Sequence, residues 1–154
     1  MVGYNMTQPS AQPIDKTAIT ETVTRYFHAM DARDWETGHA LFTDQVEMTH
    51  GAHQMTFSSE EFISESREML SGFDATQYLL GPVVVDRDAE DQATARFHVR
   101  FTAAMEEPIY VHGAHWTVGL KRLRDTWKIR SISHEDAYEE GDRTLAETAH
   151  QQET

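Results

Sequence analysis

Apolar positions in the first part of the chain recur at helical spacing. Ile19, Val23, Phe27 and Met30 stand three or four residues apart and Tyr26 flanks the stripe, so an amphipathic helix of about four turns is predicted. Asp15 is a suitable N-cap for it. The segment "DARD" ends this helix, and Asp34 can cap a short second one carrying Trp35, Leu41 and Phe42. The period then changes. Val46, Met48 and His50 alternate with Gln45, Glu47 and Thr49, as in a half-buried strand. "SSEEFISESREML" returns to helical spacing, with Ser58 or Ser59 as cap, acids in the first turn, and Phe62, Ile63, Met69 and Leu70 facing inward.

Everything after Ala75 reads as β. "ATQYLLGPVVVD" is a strand that Gly81-Pro82 should bend or bulge. "ATARFHVRFTAAM", "IYVHGAHWTVGLKRL" and "WKIRSISHE" follow as three further strands, joined by turn-rich segments. The order ααβαββββ predicts an α+β domain with about three helices packed on one face of a curved, mostly antiparallel sheet. Parity sorts the faces. Phe97, Val99 and Phe101 point to the helices, and Arg96, His98 and Arg100 point to water or to a partner subunit. Trp116, Val118 and Leu120 form the inner row of the next strand, and Trp127 and Ile129 that of the last. The polar ends are set apart: residues 1–13 as a flexible tail, 14–137 as the folded domain, and 138–154 as loosely packed or disordered.

Composition narrows the partners. A chain of 154 residues suits one domain with one core. Its formal charge of −13 argues against nucleic acid and against an anionic membrane surface. There is no cysteine, hence no disulfide, thiolate nucleophile or cysteine zinc site. With neither a signal-peptide pattern at the N-terminus nor a membrane-length apolar run, a soluble, cytoplasmic protein is the expectation.

Few side chains offer chemistry. Asp31 closes the first helix, where a carboxylate opposes the helix dipole, so helix stability gives little reason for it. Desolvated in an apolar pocket it would become a usable acid or base. It could equally cap the following turn. His50 shares parity with Val46 and Met48 and should point inward, either as a hydrogen-bonded core histidine or, with Asp31 as neighbour, as half of an acid–base pair. Tyr78 shares parity with Leu80 and is either a core-edge phenol or a donor to a substrate oxygen. His50/His53 and His112/His115 are HxxH pairs, but residues three apart on a strand point to opposite faces, so neither pair chelates and no metal site is predicted. No phosphate loop, nucleophile elbow or dinucleotide fingerprint is present, and no cofactor is predicted.

The element order, "AMDARDWETGHALFTDQVEM" near the front and "TWKIRSISHE" near the back together resemble the SnoaL-like branch of the NTF2-like superfamily, over roughly residues 15–136. That resemblance implies a cone of bent sheet wrapped around helices, with a pocket at the open end. Members include polyketide cyclases, scytalone dehydratase, ketosteroid isomerase, epoxide hydrolases, dioxygenase small subunits and proteins with no chemistry, so the fold does not settle the function. Compared with scytalone dehydratase, Asp31 falls on a pocket aspartate and His50 on a tyrosine that orients a water. "ATQYLLG" resembles "TQHFIGG", which puts Tyr78 in place of a catalytic histidine. Ala103 stands for the second histidine and Trp116 for a substrate-binding asparagine. A similar pocket with different chemistry is implied.

Asp31, His50 and Tyr78 are therefore the candidate catalytic set, with Tyr78 acting as the tyrosine of ketosteroid isomerase does. Tyr26, Phe27, Met30, Met48, Leu80, Phe97, Val99, Phe101, Trp116 and Val118 are the candidate lining for a small, flat hydrophobic ligand. The expected activity is cofactor-free dehydration, isomerisation or cyclisation of an aromatic or polyketide-like molecule. A non-catalytic binding or assembly protein and a small structural subunit are the alternatives. A homodimer through the outer sheet face is expected.

Overall fold

A computed structural model describes residues 13–106 and 109–141. The chain forms α1 (Pro13–Ala32), α2 (Trp35–Ala40), β1 (Phe42–His50), β2 (His53–Ser58), α3 (Ser59–Ser71), β3 (Ala75–Leu80), β4 (Val84–Ala89), β5 (Gln92–Ala104), β6 (Ile109–Leu123) and β7 (Thr126–Gly141). The α+β architecture is the expected one: the described residues form three helices and one seven-stranded sheet ordered β2-β1-β7-β6-β5-β3, with β4 also paired to β5.

All strand pairs are antiparallel except β1–β7. That parallel pair brings the first strand beside the last and makes His50 the register partner of His134.

The inner face follows the alternation. Ala93, Ala95, Phe97 and Val99 are buried along β5, while Arg96, His98 and Arg100 are exposed. Ile19, Val23, Phe27 and Met30 of α1 pack into the same core as Val118, Leu120, Trp127, Ile129 and Ile132. Capping decides the short helices. Asp34 accepts from the Thr37 amide at the start of α2. Ser58 and Glu61 form a reciprocal capping box on α3.

Six features depart from the sequence reading. Leu41 and Phe42, read onto the second helix, lie at its C-cap and at the start of β1, and Met69, read as facing inward on α3, is exposed. β2 is an additional strand, so the observed order is ααββαβββββ. Its residues are mostly exposed and carry little alternation; pairing with β1, not burial, holds them extended. The segment bent at Gly81-Pro82 is two strands, both pairing with β5, because Pro82 has no amide to continue a ladder. Asp15 is not the N-cap: α1 begins at Pro13, and Asp15 in its first turn forms an ion pair with Arg87 of β4. β7 continues to Gly141, so residues 138–141, assigned to the C-terminal tail, are strand. Apart from Pro13, the proposed N-terminal tail lies outside the described residues, as does 142–154.

Candidate functional site

Asp31 and His50 both face the concave side of the sheet, but each has its own partners. Asp31 sits in the last turn of α1, where one carboxylate oxygen accepts from the Tyr78 amide at 2.9 Å and the other from the Thr76 hydroxyl at 3.3 Å. It ties the end of α1 to β3. The turn that follows supports it. Asp34 and Arg33 donate their amides to Ala29 and Met30, closing the helix with Arg33 at φ 61°. Glycine is usual at such a position. Here the guanidinium reaches Thr76 at 2.9 Å and the Phe73 carbonyl at 3.3 Å, contacts glycine could not make. Desolvation pushes the Asp31 carboxyl above its ordinary range. It outweighs the Tyr78 and Thr76 hydrogen bonds and the positive charge of Arg33 and His28.

His50 stands at the end of β1 and is exposed. Its Nε2 lies 3.3 and 3.4 Å from the two carboxylate oxygens of Asp136, and its ring is 4.4 Å from that of His134. The carboxylate partner of His50 is therefore Asp136, and the Asp31–His50 pair expected from the sequence is not formed. The reason is topological: parallel pairing of β1 with β7 places His134 opposite His50 and Asp136 two residues further along the same face. β6 completes the group, with His112 Nε2 2.8 Å from Asp136 Oδ1. Burial acts to raise the Asp136 carboxyl, but hydrogen bonds from His112 and His50 and their charge hold it below the usual range. His134 is pulled down to about 4, first by burial and then by His50 and His112, against the opposing effect of Asp136. Its Nδ1 is buried with no hydrogen-bond partner.

Between Asp31 and this cluster runs a row of aromatic rings. Tyr78 lies 4.7 Å from Phe101 and 5.0 Å from Phe27. Phe27 lies 5.0 Å from Trp116, which stacks on His134 at 5.0 Å and 20°. Burial and the charges of Tyr26 and Asp31 push the Tyr78 phenol well up, so it is a neutral hydroxyl at physiological pH.

The expected lining residues divide by depth. Tyr26, Phe27, Met30, Phe97, Val99 and Val118 are buried in the core cluster, whereas Met48, Leu80, Tyr78, Phe101 and Trp116 are partly exposed at its edge. Parity identifies the inward face but not the distance from the mouth. The outer face also carries a groove of about 390 Å³, lined by residues including Leu79, Arg100, His115 and Tyr138.

Sequence reasoning missed His134 and Asp136. Their signal was "SISHED" itself, where Ile132, His134 and Asp136 share parity. The argument against His50/His53 also fails, because a turn at Gly51 separates them and makes them cross-strand partners on one face.

A profile of the SnoaL-like domain matches residues 13–133. The chain belongs to this family. No curated protein matches it. Solved structures share the fold of this SnoaL-like domain at low identity. A protein of Kribbella flavida, Kfla4162, is 23% identical with a TM-score of 0.79, covering 87% of this chain and 97% of that one. A scytalone dehydratase candidate from Novosphingobium aromaticivorans is 16% identical with a TM-score of 0.76, covering 84% and 89%. A type 2 hexachlorocyclohexane dehydrochlorinase is 15% identical with a TM-score of 0.74, over the same shares of both chains. Among the described residues of this SnoaL-like domain, no helix is long and apolar enough to cross a membrane.

Proposed function

We propose that this SnoaL-like domain is a lyase or isomerase that moves protons on a small hydrophobic, aromatic or polyketide-like molecule held against its aromatic rim. The observation that carries this reading is a juxtaposition. Partly exposed Trp116, Tyr78 and Phe101 lie between a desolvated carboxyl, Asp31, and a carboxylate shared by two imidazoles, Asp136 with His50 and His112. The rings offer a flat apolar surface, and the flanking groups offer an acid and a base. Asp136 fills the orienting role first expected of Asp31, since a carboxylate on one imidazole nitrogen fixes which nitrogen exchanges protons. Asp31, with its raised affinity for a proton, is the acid on the opposite wall, and Tyr78 bounds the site. The dehydratase and dehydrochlorinase with the same fold are named for losing water and hydrogen chloride; both eliminations need a base to take the proton, and loss of water is also helped by an acid on the leaving oxygen.

The test is turnover of a panel of aromatic and polyketide-like β-hydroxy carbonyl compounds, followed by absorbance and by mass. On any compound that is turned over, Asp31→Asn, His50→Ala and Asp136→Asn are each expected to lower the rate about a hundredfold or more with the fold intact. Rates unchanged in all three variants would overturn the assignment. Ligand affinity that survives all three without turnover would put the protein among the non-catalytic binders.

A further inference from the structure

Two imidazoles on one carboxylate with a third ring stacked beside them is an unusual arrangement for proton transfer alone. His50, His134 and Asp136 each offer a ligand atom, and these atoms all lie within 4.8 Å of one another. They come from two strands fixed by parallel pairing, so their convergence does not depend on a loop. Bond lengths of about 2.0–2.2 Å to nitrogen and carboxylate oxygen would place donor atoms about 3–4 Å apart around one ion, and the 3.3 and 3.4 Å separations between His50 Nε2 and Asp136 fall in that range. The buried, unpartnered Nδ1 of His134 is a second and independent observation. A buried polar atom without a partner calls for an explanation, and an ion at the ring is one. His112, 2.8 Å from Asp136 Oδ1, occupies the position of an outer residue that orients a ligating carboxylate.

We infer that His50, His134 and Asp136 bind a divalent first-row transition metal at the rim of the cone, with His112 holding Asp136 in place. Two imidazoles and a carboxylate, with no thiolate, suit Zn²⁺, Co²⁺ or Fe²⁺ better than Ca²⁺ or Mg²⁺. Three protein ligands leave coordination positions open, and His134 is stacked on Trp116, so the open side borders the aromatic rim. The net charge of −13 raises the local concentration of cations.

The inference goes beyond the acid–base reading and does not need it. If both hold, His50, His134 and Asp136 would hold an ion that would supply Lewis-acid activation at the rim, and Asp31 would remain the acid. The experiment uses untagged full-length protein stripped with a chelator and titrated with Zn²⁺ by calorimetry and with Co²⁺ by visible absorption. One equivalent per chain is expected. His134→Ala and Asp136→Asn should each weaken binding at least about tenfold, and His112→Ala should weaken it less than either. His98→Ala, which alters the His98–His115 pair on the outer face, should bind as the parent does. Circular dichroism checks that each variant is folded. Should a variant fail to fold, the Co²⁺ spectrum of the parent carries the test, which requires nitrogen and oxygen ligation at one equivalent. No saturable binding, binding indifferent to His134 and Asp136, or binding lost with His98 would each overturn the inference. Asp31→Asn separates the two ideas, since it should bind the ion normally and still lose turnover.

Discussion

Asp31 shows how one side chain can serve both architecture and chemistry. Its carboxylate accepts from the Tyr78 amide and the Thr76 hydroxyl, yet desolvation leaves its affinity for protons above that of an unfolded aspartate. A raised folded-state value means that the folded state favours the protonated form. The stabilising contribution is full below the unfolded pKa and is lost as pH rises through the folded one. At neutral pH the ionised group therefore works against the fold. Asp31→Asn keeps an oxygen for the Tyr78 amide without the charge. It is expected to raise the melting temperature at pH 7–8 and to lose that advantage as pH falls and the parent carboxyl takes up its proton. Thermal melts across pH would check the sign, and a variant less stable than the parent at pH 8 would show that the hydrogen bonds dominate. Stabilisation accompanied by lost turnover would mark a group kept for function.

At the scale of elements, the legible parts of the fold were those whose determinants are local. β5 alternates without a break from Ala93 to Val99, and α3 opens with Ser58 and Glu61 at capping-box spacing, so both stand where the pattern put them. Ser58→Ala removes the acceptor for the Glu61 amide and should cost about 1 kcal/mol, measured as a shift in urea midpoint at constant slope. No shift would mean that packing alone holds the start of α3. β2 was not legible because "HQMTFS" is a short, exposed edge strand whose extended form comes from β1. The site was only half legible for a related reason. Asp31, His50 and Tyr78 could be singled out from helix position and strand parity. The partner of His50 could not, because 86 residues separate it from Asp136 and the register of a parallel pair is written in neither strand alone. The HxxH pairs were set aside by a rule for residues on one strand, and the set His50, His134 and Asp136, which lies across two, was not weighed at all.

On the scale of the whole molecule, the two faces of the sheet differ in a way that bears on assembly. Among the described residues, the inner face is covered by helices and the outer face has none. There Leu79 is 53% and Tyr138 46% exposed, bordering the groove that also includes His98, Arg100, Gly113 and His115. Tyr138 lies over Gly113, where a Cβ would meet its ring at 2.1–2.7 Å, so the strand is kept bare to seat the aromatic side chain. A ring held flat on a sheet offers contact area at little entropic cost, as anchors in interfaces do. Arg100 brings a positive charge to this groove within a strongly acidic chain, so a second copy can bring acidic surface to meet it. A dimer through this face is therefore expected, and light scattering should give twice the chain mass of 17.6 kDa. Leu79→Asp and Tyr138→Asp each place a charge on the apolar part and should shift the population toward monomer, with circular dichroism unchanged. A parent that runs as a monomer at about 100 µM, well above the range of specific dimers, would remove this face as an interface. Because the catalytic and metal-binding groups lie on the concave side, monomeric variants should keep their Co²⁺ spectrum. Its loss on dissociation would mean that the pairing of β1 with β7 depends on the partner across the sheet.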